Sequence, residues 1–155
     1  GLSRSLGGEA DGWRGGWRRG PDLRLVSVSP GIRFALGGQV MQRVNEFEVP
    51  FRNGDSGVKY LVRGPRIDWG VILLRPQEKL PAHYHNEVEE TFYIVRGKAR
   101  LTVNGEVMSG IVGDVYRMEP RDRHEIANVG EEDLKMVFMK APFLPEDKVD
   151  VKQGA

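Results

Sequence analysis

The sequence predicts an all-β chain built as one antiparallel sandwich or barrel, on three observations. From Val58 onward, apolar or β-branched runs of about strand length follow one another, separated by turn signals. No segment holds an apolar period of 3.6 long enough for a convincing helix. The chain shows no internal repeat, which favours one barrel over two.

The elements follow in order. Residues 1–40 read as a Gly/Arg-rich N-terminal extension, and 41–155 as a single barrel domain. The extension holds six Arg and no Lys against three acidic residues, with no strand or helix period over its first twenty positions. Such composition reads as a flexible extension; Arg beside Trp13 and Trp17 would also suit a tail that stacks on RNA bases. Leu23–Val28 and Ile32–Leu36 have strand character and would add to a sheet edge. Met41 opens a stretch that reads like the start of a small domain, and is a candidate natural start. Strands are then expected at Val58–Val62, Ile67–Leu74, Thr91–Val95, Ala99–Val103, Val115–Met118, Glu125–Ala127 and Leu134–Met139. Gly64-Pro65, Arg96-Gly97, Gly110, Gly113 and Gly130 punctuate them. Asn104-Gly105 is a two-residue hairpin signal, because a type I′ turn needs positive φ at both central residues. The tail Leu144–Lys152 is expected to form one short turn.

All three histidines of the chain fall in one metal-binding pattern. Residues two apart on a strand point the same way, so His83 and His85 aim two imidazoles at one point. A carboxylate from the next strand, Glu89 or Glu90, and His124 from a later one would complete a mixed N/O site. Such a donor set suits Mn, Fe, Co, Ni or Zn rather than Ca or Mg. Three neutral imidazoles and one carboxylate would leave a divalent ion with net positive charge and up to two open positions for water, O₂ or a chelating substrate.

These residues also carry a family resemblance. His83 to Gly97, HYHNEVEETFYIVRG, resembles the first cupin motif: His-x-His, four residues, Glu90, six residues, Gly97. Gly113 to Asn128, GDVYRMEPRDRHEIAN, resembles the second, with Gly113, Pro120, His124 and Asn128 in order. Two departures stand out. Gln77 and Arg121 occupy turn positions that are usually glycine, and Pro120 sits one residue closer to His124 than is common. The resemblance, from about Val58 to Phe143, implies a cupin-type antiparallel β-barrel (double-stranded β-helix or jelly-roll). It implies one divalent transition metal per chain, held by His83, His85, Glu90 and His124. Glu90 rather than Glu89 would then face inward, with Phe92 and Ile94 on its side of the strand.

The pocket wall is expected to be apolar. Ile126 and Asn128 share the face of His124, and Asn128 reads as a hydrogen-bond strut. The following strand offers two stripes, Leu134/Met136/Phe138 and Lys135/Val137/Met139, with Met108 and Met118 nearby in sequence. Tyr60, Trp69, Tyr93 and Arg75 are candidates for the mouth. No proton donor stands out, Glu87 and Tyr93 being weak candidates.

The resemblance implies a metal-dependent enzyme acting on a small oxygen-rich substrate, dioxygenase- or decarboxylase-like. The alternative is a non-catalytic module that binds a metal-chelated metabolite, acid or sugar as sensor or store. Net charge of +1 argues for neither a nucleic-acid nor a membrane partner. The absence of cysteine removes disulfides and thiolate chemistry and fits a reducing cytoplasm. No apolar run approaches the ~20 residues of a membrane helix. A homodimer is expected, with the segment before Val58 contributing to its interface, since small barrels commonly cover sheet edges by pairing.

Overall fold

The structure is a computed structural model. It describes residues 41–151 in full, and only the course of the strands at 25–27, 32–36 and 39–40. Trp13 and Trp17 lie outside the described residues.

Strands β1 (Leu25–Ser27), β2 (Ile32–Leu36) and β3 (Gln39–Arg43) form a three-stranded antiparallel sheet of their own. Both stretches of strand character in the extension therefore contain a strand. A single 3-10 turn, Glu46–Glu48, follows, capped by the Asn45 side-chain oxygen accepting from Phe47 N at 3.0 Å.

The body of the chain runs through β4 (Gly57–Arg63), β5 (Asp68–Leu74), β6 (Lys79–His85), β7 (Glu89–Arg96), β8 (Ala99–Val103), β9 (Glu106–Gly110), β10 (Val115–Met118), β11 (His124–Asn128), β12 (Leu134–Ala141) and β13 (Lys148–Asp150). Two five-stranded antiparallel sheets result, ordered β10-β7-β12-β5-β4 and β13-β6-β11-β8-β9. After the β4–β5 hairpin the chain crosses to the second sheet for β6, back for β7, makes the β8–β9 hairpin in the second sheet, and then alternates from β10 to β13. That crossing pattern makes a double-stranded β-helix, and each strand expected from Val58 onward coincides with an observed one to within a residue or two at its ends.

Period-two patterning decides what each sheet buries. On β7, Glu90, Phe92 and Ile94 are buried, whereas Tyr93 and Val95 are exposed. On β12 the stripe Leu134, Met136, Phe138 faces the core. These close on Ile72, Leu74, Leu101, Met118 and Ile126 in one cluster. Burying each large apolar side chain contributes about 1.5–3 kcal/mol. Met118 belongs to this core, but Met108 on β9 is exposed.

The turns carry their residues for physical reasons. Asn104 (φ 51°) and Gly105 (φ 90°) make the I′ turn of the β8–β9 hairpin. Gln77 (φ 69°) and Arg121 (φ 73°), the two positions where the resemblance expects glycine, adopt the left-handed conformation glycine favours. The backbone turn is kept although its usual residue is not. The tail departs from expectation: a turn at Pro145-Glu146 leads into β13, which pairs with β6. Among the described residues no helix is long and apolar enough to cross a membrane.

Candidate metal centre

The site lies between the two sheets. His83 and His124 are register partners on β6 and β11, with ring centroids 4.3 Å apart. His85 stands two residues beyond His83 on the same face, and Glu90 reaches in from β7 of the other sheet. His83, His85, Glu90 and His124 are all buried. One oxygen, Glu90 Oε2, lies 3.1 Å from His85 Nε2, 3.3 Å from His124 Nε2 and 3.7 Å from His83 Nε2. His83, His85 and Glu90 each offer one donor atom within 4.8 Å of the others, a spacing that could hold a metal ion. His124 approaches Glu90 as closely, but its ring centroid is 6.3 Å from that of His85, so it stands at the edge of this group.

The far nitrogens of the rings decide which atoms are available. His83 Nδ1 donates to Pro81 O at 2.9 Å, and His124 Nδ1 donates to Asp122 O at 2.8 Å. A carbonyl only accepts, so both Nδ1 atoms carry a proton. In the neutral ring this leaves a lone pair on each Nε2, directed at Glu90. His124 Nε2 is buried without a hydrogen-bond partner. Lone pairs facing a carboxylate repel unless a proton or cation lies between them, and donors grouped in this way could hold a metal ion. His85 Nδ1 has only Asp147 Oδ2, at 3.8 Å. Asp147 also accepts from Val88 N at 2.9 Å and Glu87 N at 3.1 Å, which fastens the β6–β7 turn beside the site.

Burial drives the Glu90 carboxyl upward, but protons lying between it and the three facing imidazoles in the metal-free site, together with the nearby Lys140 charge, outweigh it. Its pKa is held well below the ordinary carboxylate value. Glu89, the alternative carboxylate, faces outward and pairs with Arg117 at 2.7 Å.

A cavity of about 110 Å³ opens beside His83 and Glu90. Its wall is apolar, with Val58, Ile72, Leu80 and Phe138, and its polar groups are Tyr60, Arg52, Lys140 and Lys148. Of the residues expected at the mouth, only Tyr60 lines it. Trp69 and Tyr93 point outward, and Arg75 is exposed and paired with Asp55. Glu87 lies on the exposed turn, so neither weak proton-donor candidate reaches the cavity. Asn128 is the expected strut: its amide donates to Leu74 O and Glu132 O, each at 2.8 Å, and its oxygen accepts from Gly130 N at 2.9 Å.

Sequence reasoning passed over Lys140, Arg52 and Asp147. A signal existed for Lys140, because the stripe Leu134/Met136/Phe138 reaches it in one more step of two. Asp147 and Arg52 lie in loops, where no period reports direction.

Residues 70–140 match the family model described as the cupin domain, in keeping with the double-stranded β-helix and the buried His/Glu cluster. Among curated relatives, the chain is 37% identical over 78 residues to "Polyketide synthase CurC" of Streptomyces cyaneus, covering 50% of this chain and 50% of that one. It is 29% identical over 80 residues to "Tetracenomycin polyketide synthase protein TcmJ" of Streptomyces glaucescens, covering 52% and 54%. The chain thus spans about half the length of the curated relatives it matches. Among solved structures, an uncharacterized conserved protein with a double-stranded β-helix domain from Klebsiella pneumoniae superposes with TM-score 0.60 at 22% identity. That match covers 68% of this chain and 91% of the other.

Proposed function

We propose that this chain is a mononuclear metal-dependent enzyme acting on a small oxygen-rich substrate, with His83, His85, Glu90 and His124 holding one divalent Mn, Fe, Co, Ni or Zn ion. The observation that carries this reading is the buried convergence of three Nε2 atoms on Glu90 Oε2 at 3.1–3.7 Å. The backbone acceptors at His83 and His124 orient two of the rings for it. Bound there, the metal supplies Lewis acidity toward a chelating substrate and, as Fe or Mn, a redox partner for O₂.

The chain's own residues limit what enters. A cavity of about 110 Å³ is small beside the roughly 300–1,000 Å³ of sites that enclose drug-sized ligands. It admits the reacting end of a molecule, while the remainder stays outside. Both named relatives are polyketide synthase proteins, which supports a polyketide-derived substrate offering β-dicarbonyl or phenolic oxygens.

The test is elemental analysis of purified and reconstituted protein beside the His85→Ala variant. About one equivalent of transition metal per chain, lost in the variant, is the expected result. No uptake by either protein would sink the reading. Metal-loaded protein that binds a β-dicarbonyl probe but leaves it unchanged would be a non-catalytic binding module instead.

We also propose a homodimer. Tyr93, Val95, Val115 and Met139 are exposed on strands of the first sheet, an apolar face that pairing would cover. Size-exclusion with light scattering giving a monomer mass would refute it.

A further inference from the structure

We infer that Tyr60, positioned by Lys140, transfers the proton at the reacting carbon of the substrate, and that this substrate is an enolisable oxo acid whose anionic end meets Arg52 and Lys140. The inference rests on the metal-centre reading and names the group that reading leaves without a proton donor.

Lys140 extends the buried stripe Leu134/Met136/Phe138 and reaches a cavity whose other wall is apolar. Lysine is rarely placed so without a partner that needs it. The bland explanation is charge balance for Glu90, its register partner on β7. Yet the ammonium donates to Tyr60 Oη at 2.8 Å. An ammonium has no acceptor, so Tyr60 Oη must accept, and the phenolic proton stays available to a third group in the cavity.

The ring is held in place. Tyr60 lies edge-on to Phe138, with centroids 5.1 Å apart and planes at 86°, and the Arg63 guanidinium sits 4.6 Å from its centroid. Its register partner is Gly70, where a Cβ would come within 2.7 Å of the Phe138 ring. Glycine there lets Phe138 lie across the strand and support Tyr60. A hydroxyl so fixed in the cavity lined also by His83 and Glu90 would be oriented to donate its proton to a substrate carbon bound there.

The charges select the ligand. Lys148 is tied to Asp150 at 2.5 Å, whereas Arg52 feels the same carboxylate from farther off and forms no ion pair within 4 Å among the described residues. Arg52 and Lys140 therefore leave the cavity positive on the side away from Glu90, which suits a carboxylate. In the step itself the Tyr60 O–H bond breaks as a C–H bond forms at the enolate carbon, giving the keto acid. The phenolate left behind is stabilised by the Lys140 ammonium. The reverse step returns the carbon-bound proton to the phenolate oxygen, and no oxidant or reductant is consumed.

Acetoacetate is the probe, and exchange of its C2 protons for deuterium in D₂O, followed by NMR on reconstituted protein, is the readout. Tyr60→Phe is expected to keep wild-type metal content and acetoacetate affinity while slowing exchange by about 100-fold. Lys140→Met is expected to weaken acetoacetate binding about tenfold and slow exchange as well, with Lys140→Arg restoring the binding. Wild-type exchange by metal-loaded Tyr60→Phe would overturn the inference and leave the metal centre standing. Exchange by loaded wild type no faster than with free metal ion would overturn it too. A wild-type protein that takes up no metal would instead sink the underlying reading.

Discussion

Glu90 on β7 and Lys140 on β12 are direct register partners across neighbouring strands, and both line the cavity between the sheets. A carboxylate committed to three imidazoles thus stands opposite an ammonium committed to a tyrosine. Opposite charges at this spacing support each other without forming one closed pair, so each stays free for its own partners. The consequences for the site and its scaffold can be measured.

His124→Ala is expected to lose most bound metal and still fold. His124 contributes one donor to the centre and little to the apolar cluster, which is built from Phe92, Phe138, Leu101 and their neighbours. Elemental analysis beside far-ultraviolet circular dichroism checks both halves; full metal occupancy in the variant would remove His124 from the centre.

Acid should destabilise the metal-free protein through Glu90. Its pKa in the folded state lies well below the reference value of 4.5, the three imidazoles outweighing its burial. A lowered folded-state value means stabilisation that is present above the unfolded pKa and lost as pH falls through the folded one. Glu90→Gln has no such dependence. Denaturant midpoints measured from about pH 6 to about pH 3 should therefore fall less steeply for the variant, and equal slopes would contradict the assignment.

Asn128→Asp should cost more than Asn128→Ala. The amide feeds two carbonyls and accepts one N–H. Alanine leaves those groups unpaired, at about 1–3 kcal/mol for each that stays dry. Aspartate adds acceptor oxygens facing carbonyl oxygens, with no donor between them. Urea denaturation of both variants orders them.

Gly70→Ala is expected to destabilise by roughly 1–3 kcal/mol, the usual cost of overpacking. The new Cβ would fall 2.2 Å from Lys59 O and 2.7 Å from the Phe138 ring. The Phe138 ring is buried in the apolar cluster, and the β4 backbone cannot withdraw without breaking its pairing with β5. A variant as stable as wild type would mean that the two strands can part locally.

Arg121→Gly should stabilise slightly. A non-glycine residue at φ 73° costs on the order of 1–2 kcal/mol, against about 0.5–1 kcal/mol of added chain entropy for glycine. The difference is a gain of roughly 0.5 kcal/mol. Arg121 N donates to His85 O at 2.6 Å, a backbone bond that glycine keeps. A lower unfolding midpoint would show that the arginine side chain offsets its strain.

The sequence alone determined seven of the ten strands from β4 onward, the inward face of β7 and which residues would offer donor atoms. Alternation along a strand is local, and it assigns Glu90, Phe92 and Ile94 to one side whatever they pack against. The two cupin-like motifs then carried His124 to the same place, and the turn at Arg121 kept its left-handed backbone without its glycine. Only the tertiary structure decided which carbonyls orient the imidazoles, that Asp147 closes on the β6–β7 turn, and that Lys140 donates to Tyr60. It also made a strand of Lys148–Asp150, three residues with no apolar period, by offering them the edge of β6. These contacts join residues far apart in the chain, or rest on loops, and their partners exist only once two sheets have closed on each other.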